Sequence, residues 1–155
     1  MIENITYHNE LLALIVYNNF EKQGIHFFTP NELSQQLAYM RHPTGKIIQP
    51  HVHNPVVREV QYTQEVLFIK KGRLRIDFYN EDQQYLESRI LEPGDVILLV
   101  KGGHGFEALD EIEMIEVKQG PYVGEKDKTR FGGITREQAK IISVADKGMI
   151  VSTSP

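Results

Sequence analysis

Between Leu37 and Gln119 the chain is divided into short apolar runs by closely spaced turn residues, which leaves room for strands but not for helices of ordinary length. The clearest run sets Leu74, Ile76 and Phe78 alternately with Arg73, Arg75, Asp77 and Tyr79, the period of two expected of a half-buried strand. Leu37 to Arg41, Lys46 to His53, Glu65 to Lys70, Tyr85 to Leu91, Val96 to Val100, His104 to Leu109 and Glu113 to Gln119 complete the series. They are separated by turns such as His42-Pro43-Thr44-Gly45, Asn80 to Gln84 and Pro93-Gly94-Asp95. At least eight strands at this spacing predict an all-β sandwich or barrel.

The flanks are less regular. Leu11 to Tyr17 suits a strand or a short buried helix, and Gly24 to Phe28 a short strand. Thr29-Pro30-Asn31-Glu32 has capping-box spacing with proline at the first helical position, which predicts a short helix toward Gln36. Thr135 to Gln138 has the same spacing, and Met149 to Ser152 suits a final strand. No internal repeat, low-complexity tract or linker divides the 155 residues, so one domain is expected over residues 1–155, its core barrel at about 37–119.

Charge and composition exclude several classes of function. The net charge is −4 and the isoelectric point about 5.9, and no basic run exceeds Lys70-Lys71, so nucleic acid is not an expected partner. Leu11 to Tyr17 is too short to span a bilayer and follows Glu3 and Glu10 instead of a basic segment, which predicts neither membrane insertion nor a signal peptide, and a cytoplasmic protein. Cysteine is absent, so any metal must be held by histidine and carboxylate.

One stretch carries chemistry: GKIIQPHVHNPVVREVQYTQEVLFIKKG, Gly45 to Gly72. Two histidines spaced i, i+2 on a strand point to the same face, so His51 and His53 are placed to grip one ion. Glu65 opens the next strand, and an antiparallel neighbour would bring its carboxylate beside the two imidazoles. His104, after the Gly102-Gly103 turn, is the candidate third imidazole. Three neutral imidazoles and one carboxylate suit a divalent first-row metal, Fe, Mn, Ni, Co or Zn. His8, His26 and His42 have no partner at ligand spacing. Tyr62 and Gln64 are either lining residues or strand-surface packing, and Glu107 is a candidate acid or base.

These residues resemble the cupin superfamily. Its first motif is a glycine, five residues, H-x-H, then a glutamate followed after six residues by glycine, and Gly45, His51, His53, Glu65 and Gly72 match that order. The second motif is partly matched by Gly94, Gly102 and His104. Val100 stands where proline is usual, His104 arrives one residue early, and Ala108 replaces a frequent asparagine. The separation of His53 from Glu65 exceeds the usual one, so NPVVREVQYTQ must form an extra loop or bulge. A one-residue slip turns a strand's side chains to the opposite face, and a tight turn at Gly102-Gly103 is expected to restore the direction of His104. PHVHN, YTQEVLFIKKG and IEVKQGPY resemble a branch of small bacterial cupins, some associated with surface-polysaccharide genes.

The resemblance implies a double-stranded β-helix, the jelly-roll barrel, with short terminal helices packed on it. It implies a metal held by His51, His53, Glu65 and His104 beside a small-molecule pocket. A metal-dependent enzyme acting on a small oxygen-rich molecule, such as a sugar derivative, is the leading expectation. A metal-free sugar isomerase or epimerase and a non-catalytic binding or sensor module stand as alternatives, because the fold alone does not select a reaction. Small cupins are commonly dimeric, and the apolar runs Leu11 to Tyr17, Ile141 to Val144 and Met149 to Val151 lie outside the barrel, so a homodimer is expected.

Overall fold

The computed structural model describes residues 1–147, with side chains described as far as Ala145. The expected strand at Met149 to Ser152 lies outside the described residues. The described residues form ten strands: β1 Ile2–Tyr7, β2 Glu10–Val16, β3 Gly24–Phe27, β4 Ala38–Arg41, β5 Glu65–Lys71, β6 Leu74–Tyr79, β7 Tyr85–Leu91, β8 Val96–Leu99, β9 Gly103–Ala108 and β10 Glu113–Lys118. They build three antiparallel sheets, with orders β1-β2-β8-β5-β10, β7-β6-β9 and β3-β4. The fold is therefore all-β, and among the described residues helical content is confined to single turns at Gly124–Asp127, Arg136–Gln138 and Val144–Lys147. Among the described residues no helix is long and apolar enough to cross a membrane.

Strand register shows where the core sits, since directly opposed residues share a face. In the five-stranded sheet Ala13 opposes Leu99, Ile15 opposes Ile97, and Ile97 opposes Leu67. In the three-stranded sheet Leu74 opposes Leu91, with Ile76 and Phe78 on the same face. All of these residues belong to one hydrophobic cluster, so the two larger sheets face each other across a shared core. Leu14 and Leu98 alternate away from that cluster yet are 1 % and 0 % exposed, so the outer face of the β2-β8 pair is covered as well.

One edge of this sandwich is closed by charge. Arg89 on β7 and Glu3 on β1 both point inward, opposite the core residues Ile76 and Ile15. The Arg89 Nε and Nη2 atoms donate to Glu3 Oε1 at 3.0 and 2.7 Å, Nη2 also reaches Glu87 Oε1 at 3.1 Å, and Nη1 donates to the Ser88 carbonyl at 2.9 Å. The Tyr17 hydroxyl donates to the second oxygen of Glu3 at 2.6 Å. The arginine is almost completely buried, and its charge is tolerated because these acceptors replace the lost water.

β6 departs from the half-buried expectation, since all six of its residues are buried. Its inner face joins the core. Its outer face carries Arg75 and Asp77, joined by two bonds of 2.9 Å each. The Ser88 hydroxyl donates to Asp77, and Arg75 also pairs with Glu107, which Arg136 holds from the other side. The chain after Phe131 lies over this face. The Ile134 and Lys140 amides donate to the hydroxyls of Tyr79 and Tyr85 at 3.0 and 2.7 Å, and Ser88 exchanges backbone bonds with Lys140 and Ile142. Alternation along the strand thus separates two buried environments, one apolar and one ionic.

Two local expectations are corrected, and one strand is new. Thr29 to Gln36 forms turns instead of a helix, because Gln36 folds back and its Nε2 donates to the carbonyls of Pro30 and Leu33 at 3.0 and 2.9 Å. Those carbonyls would otherwise start a helical ladder. Lys46 to His53 is not a strand, and residues 43–63 carry no regular structure and are all exposed. Pro43, Pro50 and Pro55 remove backbone donors along this stretch. β1 had no sequence signal of its own. It turns into β2 through His8 and Asn9, both with positive φ (48° and 65°), a hairpin turn made without glycine.

Two outcomes test the closed edge. Arg89→Met leaves the inward Glu3 carboxylate without its main partner and is expected to lower unfolding free energy by about 3 kcal/mol in urea titration. Burial, then the hydrogen bond to Glu3, raises the Tyr17 pKa well above the ordinary tyrosine value. The resulting stability is fully present below the unfolded tyrosine pKa of about 10 and is lost as pH rises through the folded value. Alkaline titration at the tyrosinate absorbance band should therefore show one phase delayed until unfolding, which Tyr17→Phe removes.

Candidate functional site

The opposite edge, where β9 and β10 end their sheets, is open. Phe106 opposes the core residue Ile76, and Met114 opposes Ile69, so both side chains point inward. They are nevertheless 41 % and 40 % exposed. A cavity of about 870 Å³ lies on this side, walled by the start of β5, the first half of β9 and residues 126–133.

Glu65 and His104 meet in it from opposed sheets. Glu65 opposes Leu99 and His104 opposes Phe78, both core residues, so each side chain faces inward. His104 Nε2 lies 3.2 Å from Glu65 Oε2, and Lys118 Nζ lies 3.7 Å from the other carboxylate oxygen. The hydrogen bond from His104 holds the Glu65 carboxyl below its usual range, burial opposes this, and the charges of His104, Lys118 and Lys128 add to the lowering. The carboxylate is thereby kept ionised, and it orients the imidazole beside it.

The inward direction of His104 depends on the glycines before it. Gly102 takes φ +78°, while Gly103 enters β9 as ordinary strand. A Cβ on Gly102 would stand 2.7 Å from the Tyr79 carbonyl oxygen, so only glycine fits where the chain crosses β6. One positive-φ residue thus precedes the strand that points His104 inward, where a turn through both glycines was expected. Gly103 and Gly105 leave the outer side of β9 bare, and Phe131 packs there edge-on to Tyr79, ring centres 5.0 Å apart.

Of the other sequence-predicted residues, His51, His53 and Glu107 lie elsewhere. His51 and His53 are near each other, ring centres 5.2 Å apart, but sit in the exposed 43–63 segment. The structure therefore brings the four expected ligands together as two pairs, Glu65 with His104 and His51 with His53. Among the described residues no group of three or more His, Cys, Asp or Glu side chains is placed to hold a metal ion. Glu107, the candidate acid or base, alternates to the outer face of β9 and is held there between Arg75 and Arg136. Tyr62 does line the cavity.

Sequence reasoning missed the cationic wall. Lys101, Lys126, Lys128 and Arg130 line the cavity against Glu65 and Asp127, in a protein of net negative charge. Three of these four residues lie in GEKDKTR, residues 124–130, a charged stretch with no ligand spacing to mark it. Lys101 is engaged with Glu10 at 2.6 Å and Arg130 with Glu125 at 3.1 Å, whereas Lys126 and Lys128 make no ion pair among the described residues. An imidazole-carboxylate pair beside unpaired lysines can exchange a proton with a bound molecule, donate to a metal, or orient an anionic group.

No protein-family model matches the chain, and neither a curated protein nor a solved structure matches it.

Gly103→Ala tests the cavity wall. The new methyl would come within 2.9 Å of the Phe131 ring and 3.1 Å of Tyr79 Cβ. Displacement of Phe131 at a cost of about 1 kcal/mol is expected, read as faster amide exchange at Ile134 while the β2-β8 amides stay protected.

Proposed function

We propose that the chain is a cupin-type jelly roll that binds a divalent first-row metal and acts on a small oxygen-rich molecule in the cavity. The observation that carries this reading is the meeting of Glu65 and His104 at 3.2 Å, from the inner faces of two opposed sheets. The strand succession supports the barrel: β5, β8 and β10 lie in one sheet and β6, β7 and β9 in the other, so the chain passes repeatedly between layers. Exposed Phe68, Ile115 and Val117, on the outer face beside the β10 edge, support the homodimer that belongs to the same reading.

Glu65 and His104 supply two donors, a half-site. Completion by His51 and His53 requires residues 43–63 to fold inward. Two features favour that movement. β9 pairs only with β6 among the described residues, so its other edge is free to accept a strand. The 43–63 segment also carries exposed Ile47, Ile48, Val52, Val56, Val57 and Val60, apolar surface suited to covering the open flank at Phe106 and Met114. A metal held there would polarise a substrate oxygen or lower the pKa of a bound water. Glu65 and His104 hold their positions through the two sheets, while the lysines of the wall orient the substrate.

A second reading is favoured by the pairing as it stands. Glu65 and His104 without a metal form an acid-base pair suited to proton transfer on a sugar derivative, with the carboxylate orienting the imidazole.

Calorimetric titration of chelator-stripped protein with Mn²⁺ or Co²⁺ separates the two. The metal reading expects one equivalent bound, loss of binding in His104→Ala, and at least about tenfold weaker binding, ~1.4 kcal/mol, in His51→Ala. It also expects the metal to protect Lys46 and Arg58 from trypsin, because both lie in the segment that folds inward. Absence of binding with the fold intact would leave the acid-base pair as the reading.

A further inference from the structure

The cavity carries more positive charge than its own carboxylates balance. Lys101, Lys126, Lys128 and Arg130 line it against Glu65 and Asp127. Glu65 has His104 Nε2 at 3.2 Å and Lys118 Nζ at 3.7 Å, so its charge is met by groups other than the wall, and Lys101 is held by Glu10. Arg130 pairs with Glu125, but these side chains are 70 % and 73 % exposed, and a pair so open to water holds weakly. Three cations therefore remain against the Asp127 carboxylate, an excess of two positive charges. The segment that carries them is pinned at both ends. Lys118 Nζ sits 5.7 Å from the centre of the Tyr122 ring, and the Phe131 ring packs edge-on to Tyr79.

From this arrangement we infer that the wall formed by Lys126, Lys128 and Arg130 seats a phosphoryl group, so that the small molecule bound in the cavity is a phosphate ester. The inference rests on the reading of this cavity as the substrate site, with or without a metal. A phosphoryl group brings about two negative charges at neutral pH and matches the excess, whereas a carboxylate would match half of it. Its free oxygens are acceptors, and lysine ammonium groups and a guanidinium fork are the side chains suited to them. A neutral polyol would leave the cations facing each other uncompensated. The cavity, about 870 Å³, lies near the upper end for ligand sites and has more room than a phosphoryl group fills. Inward-facing Phe106, 41 % exposed and with its ring centre 5.2 Å from that of His104, offers an apolar face for the rest of the molecule. The phosphoryl group is an anchor and is not transferred, which leaves the carbon skeleton to Glu65 and His104.

The test is a nitrogen-15 NMR titration of the full chain, stripped of metal with a chelator, with inorganic phosphate and acetate as probes at neutral pH. Phosphate is expected to shift the amides of residues 126–130 in a saturable way, and acetate to bind about tenfold more weakly, the ratio for one lost charge-assisted contact. Lys126→Gln and Lys128→Gln, both at exposed positions, should each weaken phosphate binding about three- to fivefold, the range of exposed charge pairs, and the double variant about tenfold or more. Lys22→Gln, which removes an exposed lysine that does not line the cavity, should change nothing. Because the protein is metal-free, failure of the metal reading leaves this test unaffected, and the double variant should bind metal as the unaltered chain does. Acetate binding as tight as that of phosphate would overturn the inference in favour of a carboxylate seat. Phosphate binding that persists undiminished in the double variant, falls equally in Lys22→Gln, or is absent altogether would overturn it outright.

Discussion

The contact between Arg89 and Glu3 joins strands at the margins of two different sheets, and much of the remaining architecture follows from where it lies. β1 and β7 are edge strands, and nothing in their backbones links one layer to the other. Arg89 makes that link with side-chain bonds at the rim of the apolar core. A buried ion pair gives little net stability compared with a well-packed apolar pair, but it is specific, because any misplacement leaves a charge unmatched. The layers are thus held in register along one side, and the opposite side is free to stand apart. The cavity at Glu65 and His104 occupies that free side.

The covering of β6 connects the same scaffold to the site. Arg75 and Asp77 neutralise each other on its outer face, and the polypeptide beyond Phe131 is anchored over them by Tyr79, Tyr85 and Ser88. Gly124 to Phe131 must therefore run from β10 back to that anchor, a path that carries Lys126 and Lys128 past the cavity mouth. The cationic wall is in this sense a by-product of how the outer face of β6 is sealed.

Most strands were legible in the sequence because their turns are marked by glycine, proline or clustered polar residues. β5 to β10 lie within a residue or two of their expected limits. β1 was not legible: its turn uses His8 and Asn9, and its inward Glu3 breaks the apolar alternation for a reason located some eighty residues away, at Arg89. The helix expected after Thr29 failed because a side chain, Gln36, competed for the carbonyls that a local pattern had assigned to the backbone. At the site, Glu65 and His104 were legible as partners, since both sit on well-signalled strands. The cationic wall was not, because Lys126 and Lys128 reach the cavity through the path of the chain after β10, which leaves no mark in residue order.

The placement of the terminal cover has a consequence for synthesis on the ribosome. β2 lies between β1 and β8, so it lacks its second neighbour until residues near Leu99 have been made, and the five-stranded sheet is incomplete until Lys118 at the end of β10. The outer side of β6 remains wet later still, until residues up to Ile142 have left the exit tunnel and can bond to Ser88. During that interval Arg75 and Asp77 face water, where their attraction is weak and both remain hydrated. The nascent chain therefore passes through a stage in which a future interior is still soluble surface, and sealing it is among the last acts of folding.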